Sequence, residues 1–273
     1  LQNSAVFFNV SVLQKINNTA FQGKYMKKTY PAASLALLFS VSAFAATPPN
    51  TLIVVQSLDD IVSLDPAESN ELSSIQTVPS LYQRLVQPNR DNPEQLDAIL
   101  LEDWQADAAN KTLTVRIKEN AKFASGNPVR PEDIIFSYQR AVVMNKSPAF
   151  ILNILGWNKE NIAQQFEKTG DRTLKIKWSA DISPDVALNL LSTPIASVVD
   201  EKLVTPNIKN NDFGNAWLKM HSAGSGAYSL KVYQPNQAIV MASNPHVSTG
   251  EAKIPSIIIK NVPDSASRRL LIQ

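Results

Sequence analysis

Few residues of this chain stand where chemistry could be done. Its two histidines, His221 and His246, lie 25 positions apart. Neither joins a metal-binding spacing such as H-E-x-x-H, so both read as surface or loop residues. Cysteine is absent, which excludes thiolate nucleophiles, disulfides, cysteine-bound zinc and lipid attachment through a cysteine. Ser225 is flanked by Gly224 and Gly226, but without the G-x-S-x-G spacing that exposes a hydrolase nucleophile. Asp59 and Asp60 are adjacent on an extended segment, where successive side chains point to opposite sides and serve as surface. Neither phosphate-cradling fingerprint, G-x-x-x-x-G-K-S/T or G-x-G-x-x-G, occurs. These residues imply no metal and no cofactor, and an enzyme is not expected.

The elements between them are those of a packed globular protein. Of the 273 residues, 44% are hydrophobic and 18% charged, with a formal net charge of +2. That balance argues against disorder and gives no basic field for nucleic acid. Met26-Lys27-Lys28, the apolar run "AASLALLFSV" and Ala43-Phe44-Ala45 have the layout of a Sec signal peptide over 26–45. An apolar run near ten residues is too short to span a bilayer, which takes about 20. Cleavage is expected between Ala45 and Ala46, and residues 1–25 read as untranslated upstream sequence.

Beyond the leader, strand and helix patterns alternate. "TLIVVQ" reads as a buried strand, and "SLDPAESNELSS" as a loop in which Pro66 drives Asp65 to extended geometry. Ile75, Val78, Leu81, Tyr82 and Leu85 fall at helical spacing, with a kink or late start expected at Pro79. "LTVRIK" and "TLKIKW" alternate apolar and polar residues as half-exposed strands do. Gly126-Asn127-Pro128 is a turn, and Pro131-Glu132-Asp133 opens a helix with the stripe Ile134, Ile135, Tyr138, Ala141 and Val142. Ser183 caps another helix, and Asp264 a last one. "SAGSGAYSLKVYQPNQAIVMASNP" reads as a glycine turn and a hairpin, and "IPSIIIKNV" as one more strand. The fold class is mixed α/β.

Four segments, in order, resemble the extracytoplasmic solute-binding proteins of ABC transporters, specifically family 5, which includes oligopeptide- and dipeptide-binding proteins. They are Ser63-Leu64-Asp65-Pro66 ahead of Leu81-Tyr82-Gln83-Arg84-Leu85; "FASGNPVRPEDIIFSYQRAV"; "SAGSGAY"; and Val262-Pro263-Asp264. The resemblance implies a type II periplasmic-binding-protein-like lobe with a mixed sheet, formed by 46–85 and 200–273, with an accessory α+β domain inserted at 86–199. It implies a second lobe that this sequence does not contain. It implies capture of di- or oligopeptides between two lobes, the peptide held through its backbone, and delivery to a membrane permease with its ATPase. Nickel, haem, oligosaccharide or opine are the alternatives within the fold, and a secreted hydrolase is the alternative outside it.

The resemblance also implies site residues. Asn70 matches a place where some relatives put a pocket acid. Ala149 matches a pocket tyrosine whose ring is lost here unless Phe150 substitutes. Ser225, Gly226 and Tyr228 belong to a glycine turn near the hinge side, and "NPHV" at 244–247 departs from a usual aromatic pair. The acid that pairs with a peptide amino terminus belongs to the second lobe. The product is expected to be a monomer, free in the periplasm of a two-membrane bacterium and not membrane-anchored.

Overall fold

The computed structural model describes residues 50–250 and 252–272. The signal peptide, its cleavage positions Ala45 and Ala46, and the upstream residues lie outside them. The first half of the described chain runs β1 (Thr51–Gln56), α1 (Leu72–Leu81), β2 (Val86–Pro88), β3 (Leu96–Ala98), β4 (Leu101–Asp107), β5 (Thr112–Ile117) and α2 (Pro131–Met144). After it come α3 (Phe150–Asn153), β6 (Phe166–Lys168), β7 (Thr173–Lys177), α4 (Pro184–Leu191), α5 (Glu201–Val204), α6 (Asn215–Leu218), β8 (Tyr228–Gln234), β9 (Ala238–Ser243), β10 (Ser256–Asn261) and α7 (Ser265–Ile272).

Two hydrophobic cores divide these elements. One gathers Leu113, Val115, Ile117, Leu174 and Ile176 from the antiparallel sheet β4-β5-β7-β6, with Ile134, Tyr138, Ala141 and Val142 of α2 packed on it. The alternation read in "LTVRIK" and "TLKIKW" is what turns those residues inward. Tyr138, Trp157 and Phe166 meet there at ring centroid distances of 5.4 to 6.1 Å. Each large side chain so buried contributes about 1.5–3 kcal/mol. The second core lies under the sheet β1-β10-β9-β8 and holds Leu58, Leu64, Val78, Leu81, Tyr82, Ile239, Met241 and Ile259. In that sheet β1 runs parallel to β10, and the other pairs are antiparallel.

Three sequence expectations change. β1 is a sheet edge with β10 as its only partner among the described strands, and Leu52 is 41% exposed, so the run is not fully buried. α1 starts at Leu72 and stops at Leu81, with Pro79 inside its last turn; Tyr82 and Leu85 are buried but lie past the helix. The helix ends there because Tyr82 turns to extended geometry and Gly226 N donates to Leu81 O at 2.9 Å. Gly224 and Gly226 do not take the positive φ of a glycine turn. Glycine is required instead because a Cβ at 224 would collide with Leu81 O, and one at 226 with Ser80 O. The Gly126 turn, at φ 89°, and the caps by Ser183 and Asp264 stand as read.

Candidate functional site

Loop 57–70 follows β1 and winds on itself. Ser63 Oγ accepts from Asp65 N at 3.0 Å, Asp65 Oδ1 accepts from Ala67 N at 3.0 Å, and the Ser69 hydroxyl donates to the carbonyl oxygens of Ser63 and Asp65. Pro66 holds this turn, as its sequence implied. The burial of Asp65 is what the sequence did not show. Its carboxylate is fully buried and receives the fork of Arg140, Nη1 to Oδ1 at 2.7 Å and Nη2 to Oδ2 at 2.6 Å, with Asn215 Nδ2 at 2.8 Å. A bidentate guanidinium–carboxylate pair fixes orientation as well as distance.

Arg140 reaches that carboxylate because α2 is buried along two stripes. Beside its apolar stripe runs a polar one at i, i+4, i+7: Asp133, Ser137 and Arg140, each at most 3% exposed. Asp133 accepts from the backbone N–H groups of Arg130 and Glu201, at 2.8 and 3.1 Å. Burial pushes its carboxyl above the usual aspartate range, against the hydrogen bonds and charge of Arg130. Ser137 Oγ accepts from Val199 N at 2.9 Å. The neighbouring turn is held likewise: Asp200 accepts from Ser125 Oγ at 2.6 Å and from Asn127 Nδ2 at 2.8 Å. The turn and helix of "AKFASGNPVRPEDIIFSYQRAV", which holds an isolated bridge between Lys122 and Pro128 in place of a strand, thus use their polar residues as clamps.

These clamps bring one part of the expected site together. Asn70 is exposed, and its Nδ2 donates to Ser147 Oγ at 3.3 Å, so the loop after β1 meets the turn that leads into α3. Phe150 begins α3 and is 60% exposed there, whereas Ala149 is fully buried and presents no surface to a solute. The other expected residues sit elsewhere. Ser225 and Gly226 are buried, Gly226 against the backbone of Ser80–Tyr82, and Tyr228 donates its hydroxyl proton to Ile254 O at 3.0 Å. His221 stacks on Trp217 at 4.6 Å beside a groove of about 440 Å³ lined also by Leu203, Met220, Leu230 and Tyr233. Among the described residues no three His, Cys, Asp or Glu side chains converge as a metal site would require.

Two carboxylates flank Asn70: Glu71 Oε2 accepts from Asn70 N at 3.3 Å, and Glu68 lies two residues before it. Burial would raise the pKa of Glu68, but hydrogen bonds from Asn215 and Lys219 and the charges of Lys219 and Lys146 hold it below the usual glutamate range. Arg84 is a half-buried cation with no carboxylate or hydrogen-bond acceptor in reach among the described residues, and burial lowers its pKa.

The described residues thus form a mixed α/β fold of two four-stranded sheets over separate cores, with Asn70 and Phe150 exposed on loop 57–70 and α3. Residues 95–273 match the middle portion of the bacterial extracellular solute-binding proteins, family 5, and the chain belongs to that family. It is 29% identical over 247 residues to the probable D,D-dipeptide-binding periplasmic protein DdpA of Escherichia coli (strain K12), covering 89% of this chain and 45% of that one. It is 28% identical over 244 residues to the periplasmic murein peptide-binding protein MppA of the same strain, covering 81% and 43%. The unliganded open form of the MppA murein tripeptide-binding protein superposes with a TM-score of 0.69 at 24% identity, over 82% of this chain and 44% of that one. The chain therefore spans less than half the length of these relatives. No helix among the described residues is long and apolar enough to cross a membrane.

Proposed function

We propose that this chain forms the first lobe and the inserted accessory unit of a periplasmic protein that captures di- or oligopeptides and delivers them to an ABC transporter permease and its ATPase. Residues 46–85 and 200–273 make the lobe, and 86–199 the insert. The division into two cores supports this assignment, because residues 85–198 supply nearly all of one, and 58–82 with 199–259 supply the other. The relatives whose names specify peptides support the ligand class.

The observation that carries the reading is the meeting of Asn70 with the Ser147–Phe150 turn. It brings the exposed amide of Asn70, with the Glu71 carboxylate 3.3 Å from its backbone N, onto the turn that leads into the exposed ring of Phe150. Such a face suits an extended peptide, whose backbone takes hydrogen bonds while water-filled spaces accept varied side chains. Ligand then favours the closed arrangement through contacts made only there, and no bond is made or broken. The protein is exported, acts as a monomer and is not membrane-anchored.

Calorimetric titration of the gene product at the length of its relatives, with di-, tri- and longer peptides, is expected to give saturable binding. Residues 46–273 alone are expected to give none, because half of the contacts are missing. Tight saturable binding by that half, or turnover of any peptide by the longer protein, overturns the reading.

A further inference from the structure

Loop 65–70 and the segment from Arg140 to Ser147 meet at three successive places, ordered from the interior to the surface. The innermost is Asp65 with Arg140, side chains 0% and 1% exposed. The next is Glu68 with Lys146 at 3.6 Å, 13% and 42% exposed. The outermost is Asn70 with Ser147 at 3.3 Å, both exposed. From the far side Asn215 bridges the first two, its Nδ2 lying 2.8 Å from Asp65 Oδ2 and 2.9 Å from Glu68 Oε2. Lys219 Nζ adds a second cation 3.3 Å from Glu68 Oε1.

We propose that this ladder is the positioning device of the candidate face. Asp65 and Arg140 are positioning residues that hold Asn70 and the turn leading into Phe150 in one rigid wall. Three physical facts support it. A buried ion pair stabilises no more than apolar packing of equal volume, so stability does not explain its presence. Packing alone tolerates rotation and sliding, whereas a bidentate fork fixes both. A half-exposed pair such as Glu68–Lys146 is weak when it must order its own side chains, but here the inner pair has already ordered the loop. The purpose assigned to the wall rests on the solute-binding reading; its rigidity does not.

The test uses the absence of native cysteine. Spin labels on cysteines replacing Leu72 and Ile154, which are 68% and 46% exposed, report the separation of the loop side from the α3 side by double electron–electron resonance. In the full-length protein one narrow distance peak is expected, unchanged on adding trialanine. Arg140→Lys keeps the charge but loses the fork, and is expected to broaden or split the peak well below its melting temperature. Should that variant fail to fold, Asp65→Leu with Arg140→Met decides: it removes the fork without leaving a buried charge, and is expected to broaden the peak well below its melting temperature. A peak that moves with peptide, or stays narrow in every folded variant, overturns the proposal. Absence of peptide binding with the narrow peak and its broadening intact would sink the function proposed above and leave the rigid wall standing.

Discussion

Removing the Asp65 carboxylate separates a structural ion pair from a decorative one. Asp65→Ala deletes an acceptor that takes two bonds from Arg140, one from Asn215 and one from Ala67 N, at 2.6 to 3.0 Å. Arg140 is left 1% exposed, with Phe213 O at 3.0 Å from Nε as its remaining acceptor. An uncompensated buried charge of this kind costs about 3–5 kcal/mol. At about 2–4 °C per kcal/mol for a chain of this size, the melting temperature should fall by about 6–20 °C. The surface pair Arg116–Asp103, 47% and 55% exposed, is the internal control, and Asp103→Ala should cost no more than about 1 kcal/mol. Replacing both buried partners, Asp65→Leu with Arg140→Met, should recover most of the loss, because no charge then remains unpaired. Urea titrations and thermal melts followed by circular dichroism measure all of these. If Asp65→Ala costs no more than Asp103→Ala, the reasoning about Asp65 and Arg140 fails.

Three further outcomes follow from other parts of the structure. Gly226→Ala should destabilise by about 1–3 kcal/mol or more in urea titration, because the new methyl meets backbone at Ser80 and Leu81 that cannot rotate away. Gly170→Ala, whose added carbon meets Thr173 at an ordinary 3.5 Å, should be neutral or stabilise by about 0.4–1 kcal/mol. The lowered pKa of Glu68 makes its contribution to stability present above the usual glutamate range and lost as pH falls through the depressed value. Melting temperature measured between pH 7 and pH 3 should therefore decline less steeply in Glu68→Gln than in the parent, and an equal decline would contradict the pairing with Lys146, Lys219 and Asn215.

Local pattern carried much of this fold, and long-range pairing carried what it missed. Alternation in "LTVRIK" and "TLKIKW" found the inward residues of β5 and β7, and Pro131 with two following acids found the start of α2. The apolar spacing through Pro79 overran the helix, since Tyr82 and Leu85 are buried by the chain that crosses at Gly224–Gly226, not by helical periodicity. Asp65 reads as a turn residue from its own neighbours, because its partner lies on a helix in another part of the chain. The polar stripe Asp133-Ser137-Arg140 has the spacing of a solvated helix face, so sequence alone has no means of turning it inward. Of the expected site residues, Asn70 and Phe150 are exposed, while Ala149, Ser225 and Gly226 have their surface taken up by packing.

The parallel pairing of β1 with β10 has a consequence for the order in which the molecule assembles. The first described strand waits for the last one, so its ladder cannot form until residues 256–261 are available, and closing so long a loop is entropically slow. The core built almost wholly from 85–198 needs no such delay and can condense early. Meanwhile "TLIVVQ" is left as an unsatisfied, β-branched edge of the kind that seeks stray partners, which makes it the segment most in need of a chaperone's cover.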